Sequence, residues 1–181
     1  MHQDIERTLF TPEEIRRRIA ELGAEIARRH AGEELTVVAL LKGGVIFLAD
    51  LIRSLDLPIK LDFAWASSYG DGTTSSRDVK LKVFPHDDLA GKTVLLVDDI
   101  LDTGRTLAAV TDRLKRELGA KDVRLCVLLD KAARREVPVR ADYVGFVVED
   151  VFVVGYGLDY ADRYRNLPYI GVLKPEAYRK G

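Results

Sequence analysis

A chain of 181 residues, 47% hydrophobic and 31% charged, has the balance of one soluble globular domain spanning residues 1–181, long enough to bury a core. Lys and Arg number 28 against 29 Asp and Glu, and the resulting net charge of -1 argues against a protein living on bulk attraction to nucleic acid or anionic membrane, while leaving room for a local basic patch. The single Cys126 excludes an intramolecular disulfide, and three scattered His residues exclude a Cys/His zinc module.

The N-terminal stretch carries Asp4, Glu6, Glu13 and Glu14 and lacks the apolar core of a signal peptide. No apolar run reaches about 18 residues, so no membrane span is expected and the chain reads as cytoplasmic. Thr11-Pro12-Glu13-Glu14 predicts a helix start, with Thr as N-cap, Pro at the first helical position and Glu14 as capping-box partner. Ile15, Ile19, Leu22 and Ile26 continue it at helical spacing. Leu35 to Leu41 is a continuous apolar run, the pattern of a strand buried on both faces. Lys42-Gly43-Gly44 reads as a tight turn, Val45 to Ser54 as a covering helix and Leu61 to Ala66 as the next strand.

Ser67 to Ser76 is small, polar and glycine-rich, with only Tyr69 large. It reads either as a plain hairpin loop or as a lid that closes over a ligand. Strands follow at Val79 to Val83 and Lys92 to Val97, then a helix from Thr106 to Leu118. Further short strands fall at Val123 to Leu129, Tyr143 to Val148 and Tyr169 to Leu173. Alternating strands and helices predict an α/β fold with a mainly parallel sheet flanked by helices. Beyond about Asp130 strand outweighs helix, which suggests a small subdomain over the sheet edge.

The stretch from Val94 to Thr106 carries the chemistry. An apolar strand ends in Asp98 and Asp99, and a short loop then offers Asp102, Thr103, Gly104 and Thr106 before a helix. At the carboxyl end of a parallel strand, such a loop lies where α/β sheets bind ligands. Two hydroxyls, a glycine that admits close backbone approach and free helix N–H groups make a cradle for one phosphate. The paired carboxylates suit sugar hydroxyls or a divalent cation. The alternative is a solvated turn in which an Asp caps the helix. No P-loop, dinucleotide fingerprint, nucleophile elbow or H-E-x-x-H pair occurs.

Val97-Asp98-Asp99-Ile100-Leu101-Asp102-Thr103-Gly104-Arg105-Thr106 resembles the PRPP (5-phosphoribosyl diphosphate) signature of type I phosphoribosyltransferases. Leu41-Lys42-Gly43-Gly44, Ser68-Tyr69, Lys131, Val151 to Tyr160 and Arg163 to Pro168 resemble the hypoxanthine-guanine phosphoribosyltransferase family, in the same order along nearly the whole chain. The resemblance implies the type I phosphoribosyltransferase fold with a small hood, built from the two termini, over a base site. It implies transfer of ribose 5-phosphate from PRPP to N9 of a 6-oxopurine, hypoxanthine or guanine, with Mg²⁺ as cofactor. Asp102 matches the catalytic acid/base. Asp98 and Asp99 match residues holding the ribose and helping to position Mg²⁺, and Thr103, Gly104, Arg105 and Thr106 those around the 5′-phosphate. Leu41, Lys42, Gly43 and Arg165 match pyrophosphate contacts, and the family often carries a non-proline cis peptide at Leu41-Lys42.

By the same resemblance, Lys131, Phe152, Val153 and Asp159 fall at the purine. Lys131 would bond O6, Phe152 stack on the ring and backbone near Val153 read its edge, while Asp159 also matches a magnesium ligand near pyrophosphate. Ser68 and Tyr69 match lid residues, and Gly157 replaces another small residue with little expected consequence. Read alone, Lys131 is equally a surface lysine, Phe152 a core residue and Asp159 a structural hydrogen-bonding group. The resemblance further implies a homodimer or homotetramer. Two other readings compete: a phosphoribosyltransferase for xanthine, adenine or uracil, and an RNA-binding regulator using Arg16-Arg17-Arg18 and Arg28-Arg29. Lys131 disfavours adenine, whose amino group would face a donor. The net charge disfavours RNA.

Overall fold

Leu35–Leu41 (β2) has almost no solvent-facing residue, and that requires neighbours on both edges and both faces. The computed structural model, which describes residues 2–68, 79–84 and 89–178, supplies them. β2 lies inside a six-stranded sheet in the order β4-β3-β2-β5-β6-β7, formed by Val79–Phe84 (β4), Ile59–Ser68 (β3), Thr93–Leu101 (β5), Asp122–Asp130 (β6) and Tyr143–Val147 (β7). β3, β2, β5, β6 and β7 run parallel, and β4 pairs antiparallel with β3 at the edge.

Alternation along β2 divides the core. Val37 and Ala39 face one layer, where Ile15, Ile19, Leu22 and Ile26 of Pro12–Arg29 (α1) and Phe47 and Leu51 of Gly44–Ile52 (α2) pack. Val38 and Leu40 face the other layer, against Leu107, Val110 and Leu114 of Arg105–Arg116 (α3). The start of α1 follows its local code: Thr11 accepts from the Glu14 N–H at 3.2 Å, and the Thr11 N–H donates to the Glu14 carboxylate at 2.8 Å. Among the described residues no helix is long and apolar enough to cross a membrane.

Three expectations change. Ser67 and Ser68 belong to β3, paired with Lys80 and Val79, and not to the loop. β5 does not stop at Val97: its ladder with β6 continues through Asp98↔Val127, Ile100↔Leu129 and Leu101↔Asp130. Backbone pairing needs no apolar side chain, so two carboxylates can ride on a strand. The segment after Asp130 is split, since β7 joins the main sheet while Val153–Val154 (β8) and Ile170–Leu173 (β9) join Ile5–Phe10 (β1) in a separate antiparallel sheet, order β1-β9-β8. That small sheet and Pro175–Tyr178 (α4) form the hood. It is joined to the main body by Phe10 stacked on Phe146, ring centroids 4.0 Å apart, and by Arg7 on Glu149 at 2.8 Å.

Candidate active site

The extension of β5 makes the site. Asp98 and Asp99 lie near the end of the strand with their carboxyls close enough to act on each other, and only Asp102-Thr103-Gly104 remains between the strand and α3. Gly104 takes φ +83 at the head of α3, a conformation that L side chains rarely adopt. Residues Asp98 to Gly104, with Thr106 and Leu107, line a cleft of about 210 Å³. Within it the Thr103 hydroxyl accepts from the Arg105 N–H at 3.4 Å, while the Arg105 guanidinium pairs with Glu136.

The Asp102 carboxylate has one oxygen 3.5 Å from an Arg134 guanidinium nitrogen and the other buried with no hydrogen-bond partner. Such an oxygen costs about 1–3 kcal/mol and marks a place where a donor is missing. Arg135, which nothing in the local sequence singles out, holds the loop's backbone. It donates to the carbonyls of Asp102 at 2.9 Å, Leu101 at 3.1 Å and Val139 at 2.7 Å, and it pairs with Asp130.

Burial pushes the Asp98 carboxyl well above the usual carboxylate range, and the adjacent Asp99 charge pushes it further. Asp99 is also raised, by burial, against an opposing pull from its hydrogen bonds and the Arg165 charge. These donors fit a small hard cation, since a cation beside two desolvated carboxylates offsets both desolvation and mutual repulsion. Among the described residues no three His, Cys, Asp or Glu converge, and Mg²⁺ commonly takes one or two carboxylates with substrate phosphates and waters.

A folded-state pKa above the ordinary 3.8 means that ionising Asp98 disfavours the folded state, so its contribution to stability is lost as pH rises through the raised value. Asp98→Asn, which keeps the acceptor for the Asp99 N–H seen at 3.0 Å, is therefore expected to raise Tm of the ligand-free protein at pH 7. About 1 kcal/mol corresponds to about 2–4 °C in a chain of this size. The difference should fade as pH falls toward 4; thermal melts at both pH values, with an equal difference or a less stable variant at pH 7, would refute the assignment.

β2 ends in a second loop facing the first. The Leu41-Lys42 peptide is cis, as the resemblance implied. A Cβ at Gly43 would fall 1.8 Å from Asp99 Oδ2, so any side chain there would push the Asp99 carboxylate out of place. Gly157, expected to matter little, lies so close that its Cβ would meet the Gly43 carbonyl at 2.3 Å, so any side chain there presses on this loop. Arg165 donates to Gly157 O at 2.7 Å and pairs with Asp159 at 2.7 Å. Lys42 reaches Asp162 at 3.2 Å, and Asp162 was not foreseen.

The surface alternative for Lys131 is overturned. The residue follows β6 with only 5% of its surface exposed, and its ammonium donates to Val151 O at 2.7 Å with Asp150 at 3.5 Å. Val153 is buried in β8. Phe152 stacks on Tyr178, centroids 4.8 Å apart, and meets Tyr160 edge-on at 5.5 Å. Tyr178 comes from α4 and had no signal beyond being aromatic. Of the expected lid, Ser68 ends β3, while Tyr69 lies outside the described residues.

A parallel sheet with an acid-bearing strand end feeding a Thr-Gly helix start is the architecture of α/β enzymes that handle phosphorylated sugars and nucleotides. The family described as Phosphoribosyl transferase domain matches residues 8–161. The hypoxanthine-guanine phosphoribosyltransferase of Bacillus subtilis (strain 168) is 46% identical over 98% of both chains. A hypoxanthine phosphoribosyltransferase structure from Staphylococcus aureus superposes with TM-score 0.93 at 42% identity, covering 99% of this chain and 97% of that one. The bifunctional protein TilS/HprT of Listeria innocua is 49% identical over 98% of this chain, which spans 27% of that protein's length. The chain belongs to the phosphoribosyl transferase family and, within it, to the hypoxanthine-guanine phosphoribosyltransferases.

Proposed function

We propose that this chain is a purine-salvage enzyme that transfers ribose 5-phosphate from PRPP to N9 of hypoxanthine or guanine, giving IMP or GMP and pyrophosphate. The observation that carries the base assignment is the buried Lys131 ammonium, 2.7 Å from the carbonyl of Val151, the residue that precedes Phe152 and Val153 in the chain. A buried donor there favours a ring carbonyl over the amino group of adenine. Breaking the bond from C1 to pyrophosphate leaves the ribose cationic, N9 closes the new bond, and the displaced ring proton passes to Asp102. Thr103, Gly104, Arg105 and Thr106 bind the 5′-phosphate, and Asp98 and Asp99 orient the ribose hydroxyls. Leu41, Lys42, Gly43 and Arg165 bind the departing pyrophosphate. Phe152 and Val153 hold the purine.

Mg²⁺ is the proposed cofactor: Asp98 and Asp99 would help to position it beside the ribose, and Asp159 would act separately as a ligand near pyrophosphate, where a bound ion would neutralise charge on the leaving group. Ser68 and Tyr69 belong to the proposed lid. Residues 1–181 act as one catalytic domain in the cytoplasm, as a homodimer or homotetramer.

An absorbance assay with PRPP and Mg²⁺ against hypoxanthine, guanine, xanthine, adenine and uracil in parallel tests the reading. Turnover of hypoxanthine or guanine is expected. Turnover of only adenine or uracil would refute the role of Lys131, and silence with every base would refute the activity.

A further inference from the structure

Between Tyr160 and Arg163 the chain reverses in a two-residue hairpin turn, closed by Tyr160 N–H on Arg163 O at 3.3 Å and Arg163 N–H on Tyr160 O at 3.0 Å. The two turn residues, Ala161 and Asp162, have φ of +50 and +58. That is the pattern of a type I′ turn, which ordinarily selects Asn-Gly because L side chains disfavour it. Local rules are broken where a side chain has other work.

The Asp162 carboxylate lies 3.2 Å from Lys42 Nζ and 3.3 Å from Arg165 Nη2, and the side chain remains 69% exposed. Its backbone N–H is tied to Asp159 Oδ2 at 2.8 Å, which aims the turn at the two cations. Hydrogen bonds from Lys42 and Arg165 hold its carboxyl below the usual range. One carboxylate thus bridges the two cations assigned above to pyrophosphate, Arg165 three residues further along the chain and Lys42 120 residues away in sequence. An incoming anion that uses both cations competes with it for them.

We propose that Asp162 is a built-in stand-in for pyrophosphate, holding Lys42 and Arg165 in the ligand-free site and competing with PRPP and pyrophosphate for them. The inference rests on the pyrophosphate reading of those two residues. The competition favours release of pyrophosphate at the expense of affinity for PRPP. It lives in exposed ion pairs, so its size is modest and it weakens with salt.

The test is Asp162→Asn, which keeps the shape and tolerates positive φ, compared with Asp162→Glu, which keeps the charge. At low ionic strength Asp162→Asn should lower KM for PRPP and the inhibition constant of inorganic pyrophosphate by about two- to tenfold, with KM for hypoxanthine unchanged. Asp162→Glu should stay near wild type, and the gain should shrink at high salt. Weaker PRPP binding, or an equal change for both substrates, would indicate damage to the turn and overturn the inference. Lys42→Ala separates the layers. If it raises KM for PRPP while Asp162→Asn changes nothing, this inference alone fails; if it leaves PRPP binding unaltered, the pyrophosphate reading falls and takes the inference with it.

Discussion

Asp102→Asn is expected to lower kcat by about 10²–10⁴-fold, the range for a lost general acid or base. The loop's position does not depend on the carboxylate. Its carbonyls at Leu101 and Asp102 are held by Arg135, and Thr103 O accepts from the N–H groups of Glu136 at 3.0 Å and Val137 at 3.3 Å. Asn preserves volume and one acceptor but cannot take up a proton. KM for PRPP should therefore stay within about twofold, because the interaction removed is made only in the transition state. Steady-state kinetics with both substrates, with a thermal melt to verify folding, decides it. A kcat near wild type in a folded variant would remove Asp102 from the chemistry.

How far this site could be read in advance depends on the range of the interaction that builds each part. The Thr11–Glu14 cap lies within four residues, so the start of α1 was legible. β2 was legible because its apolar run has no interruption. β1 was missed because its pairing with β9 joins opposite ends of the chain, and only Ile5 among its residues is fully buried. The end of β5 was placed too early because two charged residues resemble a stop, whereas the ladder with β6 continues beneath them. The acid-Thr-Gly loop announces itself in one contiguous stretch, but its support does not: Arg135 reaches back across 33 residues to hold Asp102 O. The cis peptide at Leu41-Lys42 came from family resemblance alone, since nothing in those two residue types demands it. Lys131 looked like any lysine after a strand until Val151, 20 residues on, closed over it.

That closure makes Lys131→Met the most informative change at the base side. Met matches the stem in length and adaptability, so the cavity stays filled. Two losses are expected. Val151 O gives up its 2.7 Å ammonium donor and Asp150 its partner at 3.5 Å, a destabilisation of about 1–3 kcal/mol partly offset by no longer burying a charge. On the proposed role of Lys131, the purine carbonyl loses its donor in a desolvated setting, which should lower kcat/KM for hypoxanthine by about 10²–10³-fold, as removal of a preorganised donor does elsewhere. The two losses separate by base. Adenine presents an amino group where hypoxanthine presents O6, so a donor at Lys131 penalises it and a methyl group does not. The ratio of hypoxanthine to adenine turnover should therefore collapse toward unity even as the absolute rate falls. If Lys131 served only to prop up Val151, Tm would drop and every base would lose activity by the same factor. Measuring that ratio in the folded variant, below its melting temperature, distinguishes a residue that reads the substrate from one that merely supports the wall behind it.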